Sequence, residues 1–121
     1  GRVDCDDLVS CVNSIPLETR SNSLISIMAA NNETGVLQPL NEIADIAAGA
    51  GIALHSDMVQ MFGKNIMCFE ESGIAYASLS AHKIGGPTGV GALLVRSGYR
   101  LASLLRGGAH WSNHYHALEK L

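Results

Sequence analysis

Apolar residues at Cys5, Leu8, Val9 and Val12 fall at i, i+3, i+4 and i+7, which predicts a short amphipathic helix over residues 4–12. The Pro16 region ends it, because the residue before a proline is pushed out of helical backbone. Residues 24–28 (Leu-Ile-Ser-Ile-Met) form a brief apolar run that stops at Ala29-Ala30-Asn31-Asn32, and they read as a buried strand. Pro39 suits the first turn of a helix. Leu40, Ile43, Ala44 and Ala47 supply that helix with an apolar face, and Gly49 and Gly51 end it. Residues 52–55 and 74–78 predict a second and a third strand. A glycine-rich loop follows over residues 85–89, then a fourth strand over 90–95. No internal repeat or low-complexity linker interrupts this order.

Strand, helix, strand is the βαβ pattern, so an α/β fold with a mostly parallel sheet flanked by helices is expected. The near-continuous apolar strands predict burial on both faces. Polar residues gather just past the C-terminal ends of the strands: Asn31-Asn32-Glu33, then Asp57 and Gln60, then Ser80, His82 and Lys83. Open α/β sheets bind ligands at that edge.

Composition narrows the class. The 121 residues correspond to roughly one domain. With 47% hydrophobic residues but only 5% aromatics, the core is aliphatic. The net charge of -3 is scattered and forms no basic stripe, so a nucleic-acid partner is not expected. No apolar run is long enough to cross a bilayer, and the start, Gly1-Arg2-Val3-Asp4, has no signal-peptide layout. A soluble intracellular protein is the expectation. Cys5, Cys11 and Cys68 are odd in number and match no zinc spacing. Cys5 and Cys11 are expected as small buried thiols of the first helix, with no disulfide implied.

The strand-end residues match the needs of a pyridoxal phosphate (PLP) site. Such a site needs a lysine for the cofactor's aldehyde and a carboxylate to keep the pyridine nitrogen protonated. It also needs donors for the phosphate. Lys83 is the one lysine in the cluster, Asp57 the one aspartate at a strand exit, and Ser80 and His82 stand beside Lys83 as donors. Singly, each has a plainer reading. Lys83 could be a solvated surface cation, Asp57 a turn cap and His82 a structural histidine.

Three segments carry a resemblance. Ala30-Asn31-Asn32-Glu33-Thr34-Gly35, His55-Ser56-Asp57-Met58-Val59-Gln60 and Ser80-Ala81-His82-Lys83-Ile84-Gly85-Gly86-Pro87 occur in that order. They are separated by 25 residues from Asn32 to Asp57 and 26 from Asp57 to Lys83. Together they resemble the cysteine desulfurase family, of the class V aminotransferase group of fold-type I PLP enzymes, over about residues 20 to 108. The resemblance implies that Lys83 bonds the cofactor and shuttles the proton at Cα, and that Asp57 pairs with the pyridinium nitrogen. It implies that Gln60 and Asn32 contact the ring oxygen and substrate side. Ser80 and His82 would then hold the phosphate, with the Ala81 backbone N–H between them.

It implies further that cysteine is the substrate and a sulfur-acceptor or scaffold protein the partner, with a homodimer in the full-length form. The implied location is the cytoplasm, or the mitochondrial matrix in a eukaryote. Residues 1–108 would be part of the PLP-binding large domain and residues 109–121 a divergent or truncated tail.

The chain departs from the family's pattern in places. Met58 and Val59 stand where small residues are usual, so a tighter pocket is expected near Val59. The stretch after Gly108 does not continue the pattern. The upstream phosphate loop, the ring-stacking histidine and the catalytic cysteine have no counterpart here, so the chain alone is expected to be inactive. His110, His114 and His116 include a pair four apart, but no carboxylate joins them at a metal-site spacing, and no metal is expected. The alternative readings are a selenocysteine lyase or other class V PLP lyase or aminotransferase, and a non-catalytic remnant that binds a partner subunit.

Overall fold

A computed structural model describes residues 1–102. Helix α1 spans Cys5–Asn13 and begins on Asp4, whose carboxylate accepts the N–H groups of Asp6 at 2.9 Å and Asp7 at 3.3 Å. These are donors that the first turn cannot satisfy internally. A one-turn helix α2, Leu17–Arg20, follows Pro16 and was not expected from the pattern. Its Arg20 side chain donates to the carbonyls of Ile15 at 3.1 Å and Val12 at 3.2 Å, closing the end of α1. Strand β1 is Leu24–Met28, helix α3 is Leu40–Ala50, and strand β2 is Ala53–Asp57. Strand β3, Tyr76–Ser80, runs into a 3-10 turn, Ala81–Ile84, and strand β4 is Gly91–Val95.

The sheet order is β1-β2-β3-β4. The first three strands are parallel and β4 is antiparallel to β3. This is the expected α/β class with a mostly parallel sheet. Boundaries moved by a residue or two. β2 begins at Ala53 rather than 52 and carries on to Asp57, and β3 runs from Tyr76 to Ser80 rather than over 74–78. Asp57 and Ser80 are therefore the last residues of their strands. Gly49 lies inside α3, and Gly51 alone caps it.

The core lies on one face of the sheet. Ile25, Leu54 and Ala77 point there, against Leu40, Ile43, Ala44 and Ala47 of α3, with Val12 of α1 and Ile74 closing the sides. Burying each large aliphatic side chain of this set contributes about 1.5–3 kcal/mol. The expectation of burial on both faces is not met among the described residues. Leu24 is 55% and Met28 44% exposed on the opposite face, beside the exposed Ser26 and Asp57. What looked like a continuous apolar run in β1 has Ser26 at its centre, and its neighbours put His55, Asp57, Ser78 and Ser80 on that same face. The strands therefore alternate rather than presenting two apolar faces. The buried-thiol expectation also changes. Cys11 is exposed because it is one position off the face that ends in Val12, while Cys5 is half-buried. No helix among the described residues is long and apolar enough to cross a membrane.

One core residue is mismatched. Ser56 is fully buried and its hydroxyl has no hydrogen-bond partner among the described residues. An unpaired buried hydroxyl costs free energy that a methyl group does not. Ser56→Ala is expected to leave stability unchanged or raise it by up to about 1 kcal/mol. Denaturant unfolding checks this, and a loss of more than about 1 kcal/mol would mean that the hydroxyl has a partner after all.

Candidate functional site

The parallel strands bring three chain segments to one sheet edge. Register aligns Met28 with Asp57 and Asp57 with Ser78, so the ends of β1, β2 and β3 stand side by side. β4 starts there too, with Gly91 opposite Ser80. Ala29 donates its N–H to the Asp57 carbonyl at 2.7 Å, tying the loop after β1 to the end of β2.

The loop after β1 is held by Asn31. Its side-chain oxygen accepts the N–H groups of Glu33 and Thr34, each at 2.9 Å, and Gly35 donates its N–H to the Asn31 carbonyl at 3.0 Å. An asparagine turning back on its own backbone makes a tight turn without a helix or strand. Asn31 is thus the loop's clasp, and its neighbour Asn32 is exposed with no such task.

At the end of β2, the Asp57 carboxylate is exposed, and one of its oxygens accepts the Val59 N–H at 2.9 Å. That bond fixes the carboxylate's orientation on an exposed residue. Met58 turns into the core, at 3% exposure, and donates its N–H to the Ser78 carbonyl at 3.0 Å. The bulk noted at Met58 therefore fills the interior. Val59 and Gln60 are half-buried at the start of the following turn.

At the end of β3, the Ser80 hydroxyl lies 2.6 Å from His82 Nδ1, and Lys83 is exposed in the next position. The resemblance implies that the Ala81 N–H, between them, faces the phosphate. That N–H, however, donates to the Val90 carbonyl at 3.0 Å, which prolongs the β3–β4 ladder. The polar side chains left beside it are Ser80 and His82, which are hydrogen-bonded to each other. The turn closes tightly on Gly86: a Cβ there would stand 2.8 Å from that of Ala81 and 3.1 Å from its carbonyl oxygen. Any larger residue would push the Ser80–Lys83 segment out of place.

The cysteines lie elsewhere. Cys68 lines a shallow depression of about 460 Å³ beside α3, with Asn41, Asp45 and Glu71. That is the helix-covered side of the sheet, opposite to Asp57. Burial, and then the Glu42 carboxylate, raise the pKa of the Cys5 thiol, which keeps it protonated and a poor nucleophile. Among the described residues, no three His, Cys, Asp or Glu side chains are grouped to hold a metal. His110, His114 and His116, and the tail as a whole, lie outside the described residues.

Sequence reading missed one feature of this face. The Ser26 hydroxyl lies 2.8 Å from His55 Nδ1, across the β1–β2 pair and one row below Asp57. The period-2 alternation of the two strands places each residue on a face, but their pairing comes only from the β1–β2 register.

Residues 6–120 match the family model described as aminotransferase class-V. The chain belongs to the class-V aminotransferase family. This is a PLP-dependent family, so the strand-end residues acquire a common context. Among curated relatives, the cysteine desulfurase IscS of Dictyoglomus turgidum is 41% identical over 113 residues, covering 93% of this chain and 27% of that protein. The cysteine desulfurase IscS of an Anaeromyxobacter species is 51% identical over 89 residues, covering 72% of this chain and 22% of that protein. Among solved structures, a NifS-like protein from Rickettsia africae superposes with a TM-score of 0.82 at 35% identity, over 91% of this chain and 30% of that one. This class-V chain spans about a quarter of the length of the curated relatives it matches, and the part it spans is a portion of the large domain.

Proposed function

We propose that this segment is the cofactor-anchoring centre of a PLP-dependent cysteine desulfurase. The observation that carries the proposal is the juxtaposition at one sheet edge of an oriented carboxylate (Asp57), a hydroxyl–imidazole pair (Ser80 and His82) and an exposed amine (Lys83). That set fits the cofactor's chemistry: an anion for a protonated ring nitrogen, a hydroxyl–imidazole pair for a phosphate, and an amine for an aldehyde. Bound PLP supplies an electron sink that stabilises negative charge on the substrate. Asp57 holds the proton on the ring nitrogen. Ser80 and His82 bind the phosphate, with Ala81 setting their spacing from the ladder below. Asn32 and Gln60 contact the ring oxygen and the substrate side. Lys83 anchors the cofactor and moves the proton at the substrate's Cα.

The reaction balances without an external oxidant. The C–S bond of cysteine breaks, an S–S bond forms with an enzyme thiolate, and a proton goes to Cβ, giving alanine and an enzyme persulfide. Cys5, Cys11 and Cys68 are badly placed to be that thiolate, so the proposal assigns it to another part of the native-length protein. Residues 1–108 are read as part of the PLP-binding large domain and 109–121 as a divergent stretch. The native-length protein is proposed to work as a cytoplasmic homodimer that passes sulfur to an acceptor or scaffold protein.

The test is product analysis with the native-length protein, PLP and a reductant, offering L-cysteine and L-selenocysteine in parallel. Alanine and sulfide from cysteine, at roughly one turnover per second, is the expected result. Turnover of selenocysteine alone would assign a lyase instead. No PLP-dependent product from either amino acid would favour a non-catalytic role.

A further inference from the structure

Lys83 is carried by a very short element. The 3-10 turn Ala81–Ile84 has four residues, and it is closed internally, with the Gly86 N–H donating to the Ala81 carbonyl at 2.8 Å. The Ala81 N–H ties the start of the turn to the ladder through Val90. Neither bond reaches across to the segment that follows Asp57. A contact at Ile84, the residue after Lys83, does. Ile84 lies against Gly63: a Cβ built on Gly63 would stand 2.9 Å from Ile84 Cγ2 and 3.9 Å from Ile84 Cβ.

Gly63 belongs to the turn after β2. That turn starts at Met58, whose N–H is on the Ser78 carbonyl. The Met58 carbonyl accepts the N–H groups of Met61 at 3.0 Å and Phe62 at 2.8 Å. Gly63 follows with a φ of 76°, a left-handed conformation that glycine adopts without strain. Its bare backbone leaves the space that the Ile84 methyl occupies. Ile84 is β-branched, so one stiff torsion sets the direction of Cγ2. The side chain is 52% exposed, so the contact adds little to the core. Its consequence is geometric: it fixes the Lys83 turn relative to the turn that carries Gln60.

We propose that Ile84 is a positioning residue: its Cγ2 methyl, seated on Gly63, holds the Lys83 turn against the turn after Asp57 and so sets where the lysine amine stands. This rests on the PLP reading above. In this assignment Ile84 touches neither cofactor nor substrate. It acts through Lys83, and rates are steep in such placements, at about 10²-fold for an ångström of misplacement.

The experiment follows capture of PLP by the native-length apoprotein. At PLP concentrations where the rate no longer depends on PLP, samples are quenched with borohydride at successive times and the label on Lys83 is measured. Ile84→Ala removes the methyl and is expected to slow capture about tenfold, the cost of a shift of about half an ångström. Ile84→Val keeps the Cγ2 branch and is expected to capture like the parent. Gly63→Ala drives a methyl into Ile84 and is expected to slow capture at least as much as Ile84→Ala. Combined with Ile84→Ala, the new methyl meets the Cβ of residue 84 at 3.9 Å, an ordinary contact, so the double variant is expected to recover to within about threefold of the parent. The left-handed backbone strains both Gly63 variants equally and does not distinguish them. Parent-like capture in Ile84→Ala overturns the proposal. So does an equal loss in Ile84→Val, and so do losses that multiply in the double variant. A parent that acquires no label on Lys83 overturns the cofactor reading and the proposal with it, and that result is read from the parent alone.

Discussion

Lys83→Ala in the native-length protein is expected to lose every trace of borohydride-fixed cofactor and to cut turnover by at least about 10²–10⁴-fold, the usual weight of a positioned acid–base group. The argument is positional. The chain has three lysines, Lys64, Lys83 and Lys120. Lys83 is exposed three residues beyond the end of β3, directly after the Ser80–His82 pair, and the closed turn at Gly86 fixes that segment. Lys64 lies in the turn after Met61, with its N–H on the Met61 carbonyl, outside the strand-end cluster. Lys120 lies outside the described residues. The measurement is reduction of the PLP-loaded protein followed by peptide mapping. A label on Lys64 or Lys120 with none on Lys83 would show that the strand-end cluster is not the anchoring site.

Much of this site was legible because strand ends are where sequence pattern and chemistry coincide. An apolar run that stops abruptly at a polar cluster marks the end of a parallel strand, and ligands bind there. This placed Asp57, Ser80, His82 and Lys83 at one edge before any geometry was known. The same reasoning was blind to local hydrogen bonding. Nothing in the spacing said that the Ala81 N–H would be taken by Val90, because that bond depends on where β4 joins the sheet. It was equally silent on Asn31 and Asn32, adjacent and chemically identical, of which one clasps the loop and the other is left exposed.

The fold shows the same division. Helices α1 and α3 were visible from a 3.6-residue period, yet α2 was missed, because four residues after a proline carry too little pattern. The two-faced burial inferred for the strands failed on single residues. Ser26 and His55 interrupt the apolar runs, and the alternation they impose leaves one face open. Their hydrogen bond needed two strands in register, a fact that no one-dimensional pattern contains.

Asp57→Ala is expected to do far more harm than Asp45→Ala, although both residues are exposed aspartates on regular elements. Asp45 lies on the outer side of α3, where substitution changes stability by no more than about 0.5 kcal/mol. Asp57 ends β2 with one oxygen held by the Val59 N–H, so its charge is presented in a set direction. Without that charge the ring nitrogen loses the partner that keeps it protonated, and the electron sink weakens. By analogy with other lost electrostatic contacts in active sites, kcat should fall by about 10²–10³-fold. Asp57→Asn separates the causes. The amide oxygen can still accept the Val59 N–H and preserve the turn, but it carries no charge. If the carboxylate's charge is what counts, Asp57→Asn should unfold like the parent, yet show the same loss of turnover as Asp57→Ala. If Asp57 only caps the turn, Asp57→Asn should turn over like the parent, and the catalytic role assigned to this residue would be wrong. Steady-state kinetics and denaturant unfolding on the three variants, each in the native-length protein, decide between the two.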